Sequence, residues 1–423
     1  MNEPTSPLQI LDFRLYWIAR FSAVLATMGM VVIIGYQVYD VARADYGMSV
    51  REASLQLGLV GLFQFIPLLL LTPVAGWVAD RFERRMVARI ANTVDMCVAL
   101  GLGILTSQDA ISLPILFLFA ALHGVARVFV GPAMSSIAPN LLPPALLPKG
   151  IAIGSIAWQS ASVGGPALAG FLYAANPAAP YWFAAGAIGV AILALMPIRR
   201  IVPPPMVANV HPVRQMIEGL SYVRNHRFLF ATLTLDLFAV LLGGATALLP
   251  VYARDILNVG AEGLGQLRAA PAAGAAIVAL WFAFRPLQNN VGVKMLGAVV
   301  GFGVATIVFG LSKSMVLSLG ALAALGAFDM LSVYVRSSLV QLHTPDHMRG
   351  RVSAVSGLAI SSSNELGEVQ SGIASAALGP VGAVVFGGIA AIGITLGWAY
   401  LFPELRRVRT FDPPPTALQE KTA

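Results

Sequence analysis

Apolar runs of about twenty residues follow one another along nearly the whole chain, from the first around Phe21 to the last around Trp398. As a helix, each run is long enough to cross a hydrocarbon core of about 30 Å. Composition agrees: 57% of the 423 residues are hydrophobic and 11% are charged, where a soluble domain carries about a quarter charged residues. Mean hydropathy is +0.77. A soluble fold is excluded, and the bilayer is this chain's solvent.

The runs predict spans over 14–39, 55–79, 86–106, 112–136, 150–174 and 181–198, then 228–252, 263–284, 291–311, 315–341, 351–376 and 380–402. The expected fold class is an all-α membrane protein of twelve transmembrane helices in two six-helix bundles. Residues 1–198 form the first bundle and 228–402 the second. The 199–227 segment between them opens on Arg199-Arg200 and Pro203-Pro204-Pro205, which stop the sixth span. Between Pro212 and His226, Met216, Leu220 and Val223 alternate with Arg214, Glu218 and Arg224 at helical spacing, the pattern of an interfacial helix. The tail 403–423 contains Pro413-Pro414-Pro415 and mixed charge, and is expected to be disordered. The first span is too long for the apolar core of a secretory signal and is read as retained.

Lys and Arg placement orients the chain. Nineteen of the 27 fall at the termini or in loops after even-numbered spans, and four, Arg43, Arg51, Arg254 and Lys313, after odd-numbered ones. Cytoplasmic loops carry the excess of basic residues, so both termini, the central linker and the loop at 76–85 are expected in the cytoplasm. The net charge of +7 therefore reads as topology. Scattered over short loops, it forms no single basic face of the kind nucleic acid requires. The single Cys97 falls in an apolar run, where a small core residue is expected, and has no intrachain disulfide partner.

The 76–85 loop reads Gly76-Trp77-Val78-Ala79-Asp80-Arg81-Phe82-Glu83-Arg84-Arg85. It resembles the signature between the second and third helices of the major facilitator superfamily, G-x-x-x-D-R-x-G-R-R, with Glu83 in place of the second Gly. Arg127-Val128-Phe129-Val130-Gly131 is similar to the fourth-helix R-x-x-x-G element of that superfamily. Gly164-Gly165-Pro166-Ala167-Leu168-Ala169-Gly170 is similar to its fifth-helix antiporter motif, with Ala169 replacing one Gly. Three stretches of the second half resemble the branch containing the enterobactin exporter and the macrolide-efflux permeases: Leu249–Ala253, Gly263–Pro271 and Met348–Val355. Ser363–Glu368 does so as well. The resemblance covers about residues 10–402.

It implies the major facilitator fold, a transporter in a bacterial inner membrane, and a cytoplasmic gate at Gly76, Asp80, Arg81, Arg84 and Arg85. In the family Asp80's counterpart closes against the start of the eleventh helix, marked here by Arg349-Gly350-Arg351. Small residues allow close helix approach and Pro bends a helix. Gly165, Pro166 and Gly170 of the fifth span and Pro271 of the eighth are accordingly expected to pack between the two bundles. Arg127 is implied in proton coupling.

Charges inside spans are costly, so each should face a partner, water or a cavity. Besides Arg20, Arg127, Arg268 and Arg336, the spans hold His123, Asp95, Asp236, Asp329, Glu365 and Glu368. At about 1.5 Å per residue, Asp236 sits about 12 Å from the cytoplasmic start of its span and Asp329 about 21 Å from the outer start of its own, both near mid-membrane. The resemblance places their helices around the central cavity. A carboxylate there is pulled toward protonation by desolvation and toward ionisation by a cation, the balance a proton carrier needs. The alternative is a structural ion pair with Arg127 or Arg336. His123 and Arg127, four apart, share a helix face. Arg127 keeps its proton, so its part is to tune an acid or bind an anion. His123 titrates more readily but also fits as a packing residue. Glu365 and Glu368, three apart, fit a shared proton or a partner such as Arg268. Asp95, beside Asn92, reads as structural, and Arg20 sits close enough to the membrane edge to snorkel.

The chain carries no phosphate-binding G-x-x-x-x-G-K-[ST], no metal-spaced Cys/His set and no nucleophile elbow. Neither an enzyme, a cofactor nor a metal is expected, and the energy source should be an ion gradient. The reading is a monomeric secondary transporter, in contact with lipid, protons and a small-molecule substrate. It exports an amphiphilic, siderophore-like or drug-like compound by proton antiport. Proton-coupled uptake and a non-transporting membrane receptor are the alternatives.

Overall fold

A computed structural model of the chain describes residues 6–201, 212–285, 287 and 289–411. Among these residues the regular backbone is all helical, without strands. The long helices are α1 (Leu11–Ala44), α2 (Val50–Arg81), α3 (Arg84–Ser107), α4 (Leu113–Ser135), α5 (Leu147–Ala175) and α6 (Ala179–Leu195). There follow α7 (Pro212–Asn225), α8 (Arg227–Leu242), α9 (Gly260–Phe284), α10 (Val291–Leu311), α11 (Met315–Leu342), α12 (Asp346–Leu401) and the short α13 (Pro403–Arg407). Nine helices among the described residues are long and apolar enough to cross a membrane, and Ala179–Leu195 is a shorter apolar one.

The chain divides into two compact units. The first gathers Met1–Met48, Leu62–Asn209 and Asn258–Ala269; the second gathers Ser49–Gly61, Val210–Leu257 and Ala270–Ala423. In the first, α1 packs along α5 and α6, and α3 along α4 and α6. Phe13, Tyr16, Ile137, Leu141, Leu195 and Ile198 close one end of this bundle as a fully apolar cluster. In the second unit α12 packs on α8 and α10, and α10 on α11, around Leu235, Met295, Val335 and Leu339.

Local chemistry explains the ends and breaks of the helices. At the start of α2 the Ser49 amide donates to Glu52 Oε2 at 2.8 Å and the Glu52 amide donates to Ser49 Oγ at 3.3 Å, a reciprocal cap. The span predicted over 228–252 is interrupted. Helix α8 stops at Leu242, and after Gly243-Gly244 the chain continues through a 3₁₀ turn, Ala245–Leu248, and a π turn, Tyr252–Ile256. The Ser371 hydroxyl donates to the Gly244 carbonyl at 3.1 Å and the Tyr252 hydroxyl to that of Gly310 at 2.7 Å. Irregular backbone at such depth persists where protein groups bond it. The spans predicted over 351–376 and 380–402 are two helices, together α12, that meet at the non-helical Gly379, whose φ of 76° lies in the region glycine tolerates, just before Pro380.

Two sequence expectations change. Disorder was expected from Pro403, yet α13 buries Leu405 in the second unit's core, and the carbonyls of Val408 and Arg409 accept from the first amides of α10, Gly292 and Val291, at 3.0 and 3.3 Å. A helix start has no intrahelical acceptors for these donors, so the tail supplies them. Residues 412–423 and 202–211, with the two proline triplets, lie outside the described residues. Cys97, expected in a core, lies on the exposed side of α3.

Candidate functional site: charged pairs buried inside each unit

In the second unit Asp236 of α8 and Arg336 of α11 form an ion pair whose side chains are 12% and 5% exposed. Asp236 lines a narrow space of about 10 Å³, room for about one water molecule, together with Asp329 and Ser332 of α11, and Val299, Phe302 and Phe328 supply apolar walls. Two carboxylates and one guanidinium thus meet around a single space. With both acids ionised this set has a net charge of −1, and one proton makes it neutral, the state an apolar surrounding favours. Of the ion-pair partners left open for Asp236, the fold selects Arg336.

The first unit holds its own pair. His123 Nδ1 of α4 lies 2.6 Å from Asp95 Oδ1 of α3, with the two side chains 0% and 2% exposed. Thr27 of α1 donates to Asp95 Oδ2 at 3.4 Å. One turn along α4, Arg127 donates to Gln64 Oε1 of α2 at 2.7 Å. Asp95, read from sequence as structural, is thereby the partner of His123. The signal was its charge inside an apolar span, but what it met was not encoded nearby.

The signature loop is stapled within the first unit. Arg85 pairs with Glu83 at 2.9 Å and donates to the carbonyls of Met196, at 3.1 Å, and Ile198. Arg84 donates to Ser136 O at 3.2 Å, and the Arg81 guanidinium lies over the Trp77 ring at 5.1 Å. Gly76 lies within α2, with nothing within 4 Å of where a β-carbon would stand. The Asp80 side chain is outside the described residues. In the second unit Arg351 binds Glu218 of the amphipathic α7 at 3.3 Å and Met348 Sδ at 3.3 Å.

The small residues distribute unevenly. A β-carbon at Gly165 would strike the Leu25 carbonyl of α1, so Gly165 serves packing inside its own unit. Gly170 meets Ala261 and Gly265 at the start of α9, where Pro166 O also lies, 3.1 Å from the β-carbon position of Gly265. Pro271 packs on Gly326 of α11 inside the second unit. Pro166 and Gly170 thus meet the start of α9 inside their own compact unit, each close approach being set by the nearest backbone. Glu365 and Glu368 of α12 lie against Gly61 of α2, with Glu368 Oε2 3.2 Å from its β-carbon position, and Gly58 faces Gly372 one turn away. Among the described residues no three His, Cys, Asp or Glu side chains are placed to hold a metal ion.

Long apolar helices enclosing paired charges define a polytopic membrane protein, and its relatives make it a transporter, not an enzyme. The chain belongs to the Major Facilitator Superfamily, whose profile matches residues 17–368. It is 28% identical over 412 residues to an enterobactin exporter, EntS, of Citrobacter koseri, covering 95% of this chain and 94% of the relative. It is also 28% identical over 418 residues to that of Shigella flexneri, covering 96% and 95%. Among solved structures, a bacterial homolog of the human lysosomal transporter Spinster, inward-facing and unoccupied, superposes with a TM-score of 0.72 at 15% identity, covering 96% of this chain and all of that one. A POT family transporter in complex with 5-aminolevulinic acid gives 0.71 at 12% identity, covering 93% and 96%. These two likenesses concern the fold. The protein is a multi-pass transporter of a bacterial inner membrane.

Proposed function

We propose that this chain exports an amphiphilic small molecule of siderophore type from the cytoplasm in exchange for protons, by alternating access. The observation that carries the reading is the Asp236–Arg336 pair sharing one cavity with Asp329. A proton taken up by this set changes its charge from −1 to zero, and a substrate whose binding depends on that charge competes with the proton, which is the requirement of antiport. The enterobactin exporters, alike over 95% of the chain, support the outward direction and the substrate class.

In this reading the nine long apolar helices, with Leu147–Ala175, Ala179–Leu195 and a division of Asp346–Leu401 at Gly379, make twelve spans. Both termini and the linker with α7 are cytoplasmic, residues 1–198 and 228–402 are the two bundles, and the working unit is a monomer. Gly76, Asp80, Arg81, Arg84, Arg85 and Arg351 act in the cytoplasmic gate. Arg127, His123, Glu365 and Glu368 take part in proton coupling, each within its own unit, and Pro166 and Gly170 give a close helix contact that tolerates rocking.

Everted membrane vesicles test this with enterobactin as probe. Accumulation driven by an acidic interior, abolished by a protonophore and by Asp236→Asn, is the expected result. Flux that ignores the pH gradient, or that Asp236→Asn leaves fully coupled, overturns antiport at this site. Accumulation driven by an acidic exterior assigns uptake instead.

A further inference from the structure

The Asp95–His123 pair lies in the first unit and has no part in the Asp236 cavity. Its bonding is lopsided. Asp95 is held at both oxygens, by His123 Nδ1 at 2.6 Å and by Thr27 at 3.4 Å. His123 Nε2, by contrast, is buried and makes no hydrogen bond among the described residues. The neighbouring helix supplies a second such atom: Gln64 uses Oε1 to accept from Arg127, while its Nε2 is buried without a partner. The two helices touch here, since a β-carbon on Gly124 would lie 3.2 Å from Gln64 Cα. Buried polar atoms are nearly always paired, so two orphans at one crossing mark a place where hydrogen bonds change.

The charged and titratable groups around the pair are few. Besides Asp95 and His123 themselves, α4 contributes Arg127, one turn from His123. Helix α1 contributes Thr27, α2 Gln64 and α3 Asn92, all neutral, the last bonded to its own helix at Ala88 O, 2.8 Å away.

The proton count of such a pair is read at Nε2. With Asp95 ionised and the imidazole neutral, the ring hydrogen sits on Nδ1 and bridges to Oδ1. Nε2 then carries a lone pair, and the pair has a charge of −1. One added proton forms an N–H bond at Nε2 and makes the pair neutral, whether the bridging hydrogen then belongs to Nδ1 or to Oδ1. Release of that proton leaves a buried charge, which water or a cation must stabilise. Arg127 is the cation nearest along the helix.

We propose that Asp95 and His123 form a second proton-binding site, in which one exchangeable proton enters and leaves at His123 Nε2 while the other stays between Nδ1 and Oδ1. The site makes the transporter a carrier of two protons per cycle, one in each unit, and in that respect rests on the antiport reading above.

The test is made on the full chain in lipid nanodiscs with ¹⁵N-labelled histidine. His123 is assigned in a variant that keeps it as the one histidine of five (H211Q, H226Q, H343Q, H347Q). Between pH 5 and 9, roughly the range a histidine covers, Nε2 is expected to pass from a protonated to a lone-pair nitrogen while the hydrogen between Nδ1 and Oδ1 stays in place. Asp95→Asn should displace that transition by at least about one pH unit, tenfold in proton affinity. A Nε2 that holds one state across the range in the native chain overturns the proposal, as does a transition that Asp95→Asn leaves in place. No substrate enters the measurement. A titrating His123 in a protein whose flux ignores the pH gradient therefore supports the site while removing antiport.

Discussion

Asp236 and Arg336 meet as an ion pair between α8 and α11, nearly sealed from solvent, and the two partners are not equivalent. Removing one member of a buried pair costs about 3–5 kcal/mol, but the charge left behind differs. Asp236→Asn leaves a guanidinium that cannot give up its proton, and acid neutralises the neighbouring Asp329 as well, so its loss of stability should be no smaller at pH 5 than at pH 8. Arg336→Gln leaves a carboxylate that acid neutralises, so its loss should shrink at pH 5. The double variant should lose less than the two single losses combined. Thermal unfolding in detergent at the two pH values checks all three.

The glycine crossing of α2 and α12 should be intolerant of bulk. A β-carbon at Gly58 would lie 2.8 Å from Gly372 Cα, backbone that has no rotamer to yield. Gly58→Val is expected to lower stability by about 1–3 kcal/mol, measured by thermal unfolding, with Gly58→Ala intermediate.

Gly76 of the signature loop makes the opposite case. With open space at its β-carbon position, Gly76→Ala should leave stability unchanged or raise it by up to about 1 kcal/mol, the difference in helix propensity. If the loop acts as a gate, the same variant should nonetheless slow flux in vesicles. Unchanged flux would assign Gly76 no part in gating.

Arg85 joins α3 to the chain just after α6 through Met196 O and Ile198 O. Arg85→Ala should remove these charge-assisted bonds, lowering stability by about 1.5–3 kcal/mol. Arg85→Lys should restore only part, because one ammonium cannot reproduce the guanidinium fork. The measurement is the unfolding midpoint of each variant.

His343, just past the end of α11, gives a pH dependence with a definite sign. Burial against Phe228, with ring centroids 4.6 Å apart, pushes its imidazole below the ordinary value, opposed by a hydrogen bond to Leu339 O at 2.9 Å. The unfolded chain binds a proton near pH 6.5 and the folded chain resists it. Its contribution is therefore fully present above about pH 6.5 and is lost as the pH falls through the lowered native value. His343→Phe should flatten the decline in unfolding temperature between pH 7.5 and 5.

Much of this architecture is written locally. The run over 291–311 is the helix Val291–Leu311 to the residue, and the alternation after Pro212 is the amphipathic α7. A single helix's existence depends on neighbours a few residues away, which the sequence displays directly. The break at Gly243-Gly244 was hidden inside an apolar run because the Gly244 carbonyl is satisfied by Ser371, more than a hundred residues on. The folded tail was hidden likewise, since Leu405 finds its core in α10 and α11.

The candidate site divides along the same line. The sequence by itself determined that charges such as Asp95, His123, Asp236 and Arg336 lie inside lipid-spanning segments and must be compensated, because an unpaired charge there is too costly to keep. Which charge compensates which was decided only by the tertiary structure. Partnership depends on the rotation of each helix about its axis and on which helices adjoin. Both are set by backbone contacts such as Gly124 on Gln64 and Gly58 on Gly372, between residues far apart in the chain.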